Sequence, residues 1–150
     1  DKKTNIPILI KISPDIEDTD IAKITEISIK NNISGIVLTN TTNKNRKHLT
    51  SESKSEDGGL SGVPLQEIST TMIKKFYKEL KGKIPIIGVG GVNSGKSAYE
   101  KIRAGASLLQ LYTGFVYKGP TVVRDIKKEL IEILKADGFK NIKDAIGKNL

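Results

Sequence analysis

The residues best suited to chemistry fall in four short clusters: Lys11 to Ser13, Thr39 to Thr42, Gly88 to Gly91 and Tyr112 to Gly114. Lys11 closes the run Ile8-Leu9-Ile10-Lys11-Ile12. A cation held toward a ligand site in such a setting is costly unless it meets an anion; the alternative is a lysine that snorkels at a sheet rim. Thr39-Asn40-Thr41-Thr42 offers an amide and hydroxyls that both donate and accept. That set suits a planar heterocycle carrying carbonyl and N–H groups, though the same residues would also serve as a plain strand cap. Gly90 and Gly91 let the backbone approach an anion closely, and the helix that follows would offer its positive N-terminus. Gly58-Gly59-Leu60-Ser61-Gly62 is a second amide-rich loop before a helix, able to meet a phosphate or a ring edge.

Residues 90–97 read Gly-Gly-Val-Asn-Ser-Gly-Lys-Ser and match the phosphate-loop pattern G-x-x-x-x-G-K-[ST] between a strand and a helix. In a nucleotide hydrolase Lys96 would reach the outer phosphates and Ser97 would hold magnesium. Such an enzyme also needs an aspartate at the end of an apolar strand. No strand here ends that way, since Asp15 follows Pro14 in a turn. The competing reading is a shorter phosphate site, which in barrels is built by the loops after the last two strands. Those loops would be Gly90-Gly91 and Tyr112-Thr113. His48 lies in a polar loop and reads as solvent-exposed.

The clusters must be positioned by the apolar runs that precede them: Ile6 to Ile12, Gly35 to Leu38, Ile84 to Val89 and Ser107 to Tyr112. These runs do not alternate with polar residues, which suits parallel strands covered on both faces. Helical spacing separates them, through Ile21, Ile24 and Ile27, then Ile68, Met72, Phe76 and Leu80, then Ala98 and Ile102, then Val122, Val123, Ile126, Leu130 and Leu134. The order β-α-β-α-β-α-β-α predicts an α/β fold with right-handed crossovers. Pro64 and Pro120 fall near helix starts, and Gly35, Gly82, Gly105 and Gly138 fall where helices should stop. Residues 43–57 form a long polar loop, either a lid or a plain surface insertion. Residues 142–146 predict a last helical turn. Four βα units make either a small doubly wound domain or half of a (βα)8 barrel, whose usual length is about 250 residues. Every informative polar cluster lies at the carboxyl end of a strand, the face where such folds bind ligands.

Composition narrows the function classes. The chain of 150 residues has no cysteine and one histidine, which excludes a disulfide scaffold, a thiolate zinc site and cysteine catalysis. No apolar run approaches the ~20 residues that span a bilayer, and no signal peptide opens the sequence, so an intracellular protein is expected. Twenty-five Lys and Arg against 17 Asp and Glu give a formal charge of +8. A basic nucleic-acid-binding module is the reading this invites. The lysines are dispersed beside acidic residues, and aromatics are only 5%, so stacking platforms are few and no nucleic-acid partner is expected.

Read in order, residues 10–15 (Ile-Lys-Ile-Ser-Pro-Asp), Thr39-Asn40-Thr41-Thr42, Gly58-Gly59-Leu60-Ser61-Gly62, residues 84–92 (Ile-Pro-Ile-Ile-Gly-Val-Gly-Gly-Val), residues 100–107 (Glu-Lys-Ile-Arg-Ala-Gly-Ala-Ser), Gln110-Leu111-Tyr112-Thr113 and Asp144-Ala145-Ile146-Gly147 form a specific succession. It resembles the C-terminal half of the dihydroorotate dehydrogenases, most of all their quinone-dependent class 2 members, along essentially the whole chain. The resemblance implies a (βα)8 TIM barrel of which residues 1–150 supply the last four βα units. It implies FMN at the strand carboxyl ends, oxidation of dihydroorotate to orotate in pyrimidine biosynthesis, and a quinone as electron acceptor. Lys11 would lie near the flavin ring and Thr39 would contact FMN. Gly62, Gly90, Gly91, Tyr112 and Thr113 would bind it mainly around the phosphate, and Asn40 and Thr41 would hydrogen-bond the orotate ring. Gly95-Lys96-Ser97 would then be a helix start only. The resemblance places the serine base, further contacts and membrane-associating helices in an N-terminal half that this sequence lacks. No catalytic base is therefore assigned here, the piece alone is expected to be inactive, and a location peripheral to a bacterial or mitochondrial inner membrane is implied. Another FMN- or phosphate-binding barrel oxidoreductase would share the glycine loop but give no reason for Thr39-Asn40-Thr41.

Overall fold

The computed structural model describes residues 6–44 and 46–148. Four short parallel strands, β1 (Leu9–Ile12), β2 (Gly35–Leu38), β3 (Ile86–Val89) and β4 (Leu108–Gln110), lie side by side in chain order. The register pairs Lys11 with Val37, Leu38 with Gly88 and Val89 with Gln110, so all four carboxyl ends reach the same edge of the sheet. Helices α1 (Asp18–Lys30), α2 (Gln66–Leu80) and α3 (Gly95–Arg103) form the crossovers. They are followed after β4 by α4 (Thr113–Lys118), α5 (Val122–Ala136) and α6 (Ile142–Ala145).

Side chains alternate across each strand. Ile10, Ile12, Ile36, Leu38 and Ile86 turn toward the helices and pack with Ile21 of α1 and with Met72, Ile73, Phe76 and Leu80 of α2. Burying a side chain the size of Phe76 stabilises by about 1.5–3 kcal/mol, and Phe76 is fully buried. A second cluster joins Ala98, Tyr99 and Ile102 of α3 to Val122, Ile126 and Leu130 of α5 and Ala145 of α6.

The opposite face of the sheet carries Leu9, Val37 and Ile87, with Gly35 between, where a Cβ would meet the Leu9 and Ile87 side chains. The central strands β2 and β3 are covered, whereas Leu9 on β1 is 51% exposed and Leu108 on β4 is 64% exposed. Continuous apolar runs predict cover on both faces, and the outer strands do not have it within this chain. A sheet in strand order 1-2-3-4 with an apolar inner face open at both edges is what four consecutive units of a (βα)8 barrel look like.

Several expectations shift. β1 begins at Leu9 rather than Ile6, because Pro7 has no N–H to give a ladder. Gly35 opens β2 and does not stop α1, which ends at Lys30 and is capped by Asn31. The loop over 43–57 contains one 3₁₀ turn, Glu52–Ser55. The segment after β4 contains α4, a helix that the periodicity does not announce because it buries no residue. Among the described residues no helix is long and apolar enough to cross a membrane.

Candidate functional site

A cavity of about 200 Å³ opens at the carboxyl ends of the strands, and its lining includes Lys11, Thr39, Asn40, Thr41, Gly62, Gly90, Gly91, Tyr112 and Thr113. Every residue that the resemblance assigned to FMN or orotate therefore reaches one space. A larger neighbouring space of about 570 Å³ shares Ser61, Gly62, Gly91, Val92, Thr113 and Gly114 with it, so the two are continuous along the glycine loops.

Each wall has a local cause. Lys11 is exposed on the inner face of β1 and points where Leu9 points, away from the helices. Beyond β2 the chain is pinned on both sides: Thr39 N–H donates to Val89 O at 3.1 Å and Asn40 N–H donates to Ile12 O at 2.8 Å. Thr39 is buried, and its hydroxyl donates to Asn40 O at 2.9 Å. Asn40 and Thr41 are exposed and line the cavity. Thr42 is fully buried. Its hydroxyl donates to Asp15 Oδ1 at 2.5 Å, Asn43 N–H donates to Asp15 Oδ2 at 2.8 Å, and an antiparallel bridge joins Thr42 to Leu60. Asp15, which reads from sequence as a turn residue, thus clamps the loop after β1 to the loop after β2.

The glycine loop sits against the first turns of α2. Gly90 and Gly91 have φ of +114° and +74°, a region L-residues avoid. A Cβ on Gly91 would run into the backbone and side chain of Gln66, and one on Gly90 would press on Leu65 and Ser69. On the far wall Ser61 Oγ and Thr113 Oγ1 share a hydrogen bond of 3.0 Å. Ser61 belongs to the Gly58–Gly62 loop expected to meet a phosphate or a ring edge, and it lines both spaces. Thr113 opens α4, whose first N–H groups lack intrahelical acceptors.

One expectation is corrected here. The N-terminus of α3 does not face an anion site, because its donors are used inside the protein. Ser94 and Ser97 form a capping box, Asn93 N–H and Ser94 N–H both donate to Ser97 Oγ at 3.0 Å, and Gly95 N–H donates to Glu129 Oε2 at 2.5 Å. Lys96 is exposed and outside the cavity lining. Residues 93–97 of the phosphate-loop pattern therefore build a helix start, and the nucleotide-hydrolase reading loses the amides of that turn and its lysine. His48 is exposed, as expected.

Beneath the loop lies Lys101, which sequence reasoning did not single out. It is wholly buried, and its Nζ donates to Ser69 Oγ at 2.9 Å, Thr70 Oγ1 at 3.0 Å and Gln66 O at 3.3 Å. Burial pulls its ammonium down to about 7, while the adjacent Glu100 carboxylate opposes that shift.

The two ends of the cavity differ in chemistry. One end offers hydroxyls and backbone N–H groups, and the other offers a cation beside an amide.

The chain matches the family model described as dihydroorotate dehydrogenase over residues 1–134. It is 43% identical over 150 residues to the dihydroorotate dehydrogenase (quinone) of Azorhizobium caulinodans, covering 100% of this chain and 42% of that protein. It is 47% identical over 143 residues to the mitochondrial dihydroorotate dehydrogenase (quinone) of Arabidopsis thaliana, covering 94% of this chain and 31% of that one. The crystal structure of the Eimeria tenella dihydroorotate dehydrogenase in complex with ferulenol superposes with a TM-score of 0.92 at 42% identity, over 95% of this chain and 38% of that chain. The chain thus spans well under half the length of these relatives. Sequence and fold agree over nearly every residue described, and the chain belongs to the dihydroorotate dehydrogenase family.

Proposed function

We propose that this chain forms the C-terminal four βα units of an FMN-dependent dihydroorotate dehydrogenase that passes its electrons to a quinone. The observation that supports this best is the convergence of Lys11, Asn40, Gly91 and Thr113, one from each strand end, on a single cavity. The donor set fits a phosphorylated flavin. Gly62, Gly90, Gly91, Tyr112 and Thr113 would hold the phosphate end through backbone N–H groups and hydroxyls, as barrels do after their last strands. Thr39 would contact the flavin, and Lys11 would favour negative charge on its ring.

When bound, FMN would supply the hydride acceptor for a dihydroorotate C–H bond. The chain's own residues orient and stabilise. Asn40 and Thr41 would donate to and accept from the carbonyl and N–H groups of the pyrimidine ring. The Asp15 clamp on Thr42 and Asn43 would keep that pair in place. No residue here is assigned the removal of the second hydrogen as a proton; Ser13, Ser61 and Ser94 are not given that role. Four further βα units would complete the barrel against β1 and β4 and supply the base. A place peripheral to a membrane follows from the quinone acceptor and belongs to the same proposal.

Flavin fluorescence tests this. The protein titrated with FMN should quench its emission, and orotate added next should shift the spectrum of the bound flavin. FMN binding without any orotate effect would favour a different FMN oxidoreductase. Absence of FMN binding would refute the flavin site.

A further inference from the structure

We propose that Lys101 is the positioning residue that fixes the floor of the cavity, tying the Gly90–Gly91 loop and the Thr39–Thr41 segment to one buried lysine.

The hydrogen-bond directions make the case. Ser69 Oγ donates to Val89 O at 2.5 Å, and Thr70 Oγ1 donates to Gln66 O at 2.8 Å. Both hydroxyl protons are thereby spent on carbonyls, so each oxygen can only accept from Lys101. With Gln66 O as the third acceptor, the full set of three donations belongs to the ammonium form, and a neutral amine keeps two of them. The acceptors are neutral oxygens. Glu100, next in sequence, gives its Oε2 to the Gln66 amide at 2.9 Å rather than to Lys101.

What Lys101 grips is the cavity's own scaffold. Val89 O, the carbonyl immediately before Gly90, accepts both from Ser69 and from the N–H of Thr39. A line of hydrogen bonds therefore runs from Lys101 through Ser69 to the end of β3, and from there to the start of the Asn40–Thr41 segment. Gln66, held by Lys101, Thr70 and Glu100, is also the residue on which Gly91 rests. A lysine amine is buried here at the cost of its desolvation, which argues that its bonds fix a geometry. The inference about the floor stands on the fold. Its consequence for ligand affinity rests on the flavin reading.

Two variants test it. Lys101→Met keeps the stem and removes every donor. Ser69→Ala breaks the same line one bond further on and leaves Lys101 bound to Gln66 and Thr70. Amide hydrogen exchange is read on peptides covering 38–43 and 86–93, with 122–136 in α5 as reference. Leu130→Ala, in the second core cluster, is the control for general loosening. Both variants should speed exchange at 38–43 and 86–93 at least tenfold and leave 122–136 unchanged. Unchanged exchange at 38–43 and 86–93, or acceleration spread over all three peptides as in Leu130→Ala, would overturn the proposal. Should Lys101→Met fail to fold, Ser69→Ala decides by the same criterion. In parallel, Lys101→Met should lose at least tenfold more affinity for FMN than for riboflavin. Wild-type protein that binds neither flavin would refute the flavin site while the exchange data still judge Lys101.

Discussion

The seat of Gly91 on Gln66 can be separated from backbone strain by comparing two alanines. Gly91 has φ +74° and Gly138 has φ +76°, so Ala at either position meets the same left-handed penalty, about 1–2 kcal/mol. Restricting the unfolded chain returns about 0.4–1 kcal/mol in both cases. A Cβ on Gly138 meets nothing within 4 Å, whereas one on Gly91 runs into Gln66. Gln66 cannot give way easily, because its carbonyl accepts from Thr70 and Lys101 and its side-chain amide is bound to Glu100. Overpacking of that kind adds about 1–3 kcal/mol. Gly91→Ala should therefore unfold below Gly138→Ala by roughly 2–12 °C. Thermal unfolding followed by circular dichroism, at one protein concentration so that association cancels, gives the difference. Only Gly91→Ala should also weaken FMN. Equal melting temperatures would refute the close approach of the loop to α2.

Lys11→Met should leave the melting temperature within error, since Lys11 is exposed, and should lower flavin affinity about tenfold, or ~1.4 kcal/mol. Asp15→Ala removes the acceptor of Thr42 Oγ1 and Asn43 N–H. It should cost about 1–3 kcal/mol in urea unfolding and weaken orotate more than FMN. Lys101 gives a pH signature: its ammonium is pulled down to about 7 from the ordinary 10.5. Between those values the unfolded chain holds a proton that the folded chain has released, so stability rises with pH, by up to about 1.4 kcal/mol per unit. Below about 7 both states are charged and this slope vanishes. Urea midpoints from pH 6 to 10 should show the rise in wild type and a flatter profile in Lys101→Met. The exposed Leu9 and Leu108 on the outer strands should make the chain associate; light scattering from a stable monomer at micromolar concentration would contradict this.

The strand ends were legible because each apolar run stops at a polar cluster, and a parallel sheet gathers those ends on one edge. That alone brought Lys11, Asn40, Gly91 and Thr113 together. The long-range partners were not legible. Glu129 reaches the first turn of α3 from α5, 34 positions away, and no local pattern announces a carboxylate there. The sequence therefore offered the α3 N-terminus to an anion when the fold had already filled it. α4 escaped because Phe115, Val116 and Tyr117 stay exposed and form no buried stripe. Lys101 escaped because a lysine in a helix reads as a solvated residue. Its one sequence signal is its position beside Ile102 and three after Ala98, on the face that α3 buries. Asp15 looked like a turn residue, and it is one, but its two acceptor oxygens are spent on a neighbouring loop.

A crystal of the protein grown with FMN would show where the flavin sits. The phosphate should lie against Gly90, Gly91 and Thr113, with the ring beside Lys11 and Asn40. A phosphate seated instead on Ser94, Gly95 and Lys96, or a flavin bound away from the strand ends, would contradict that placement.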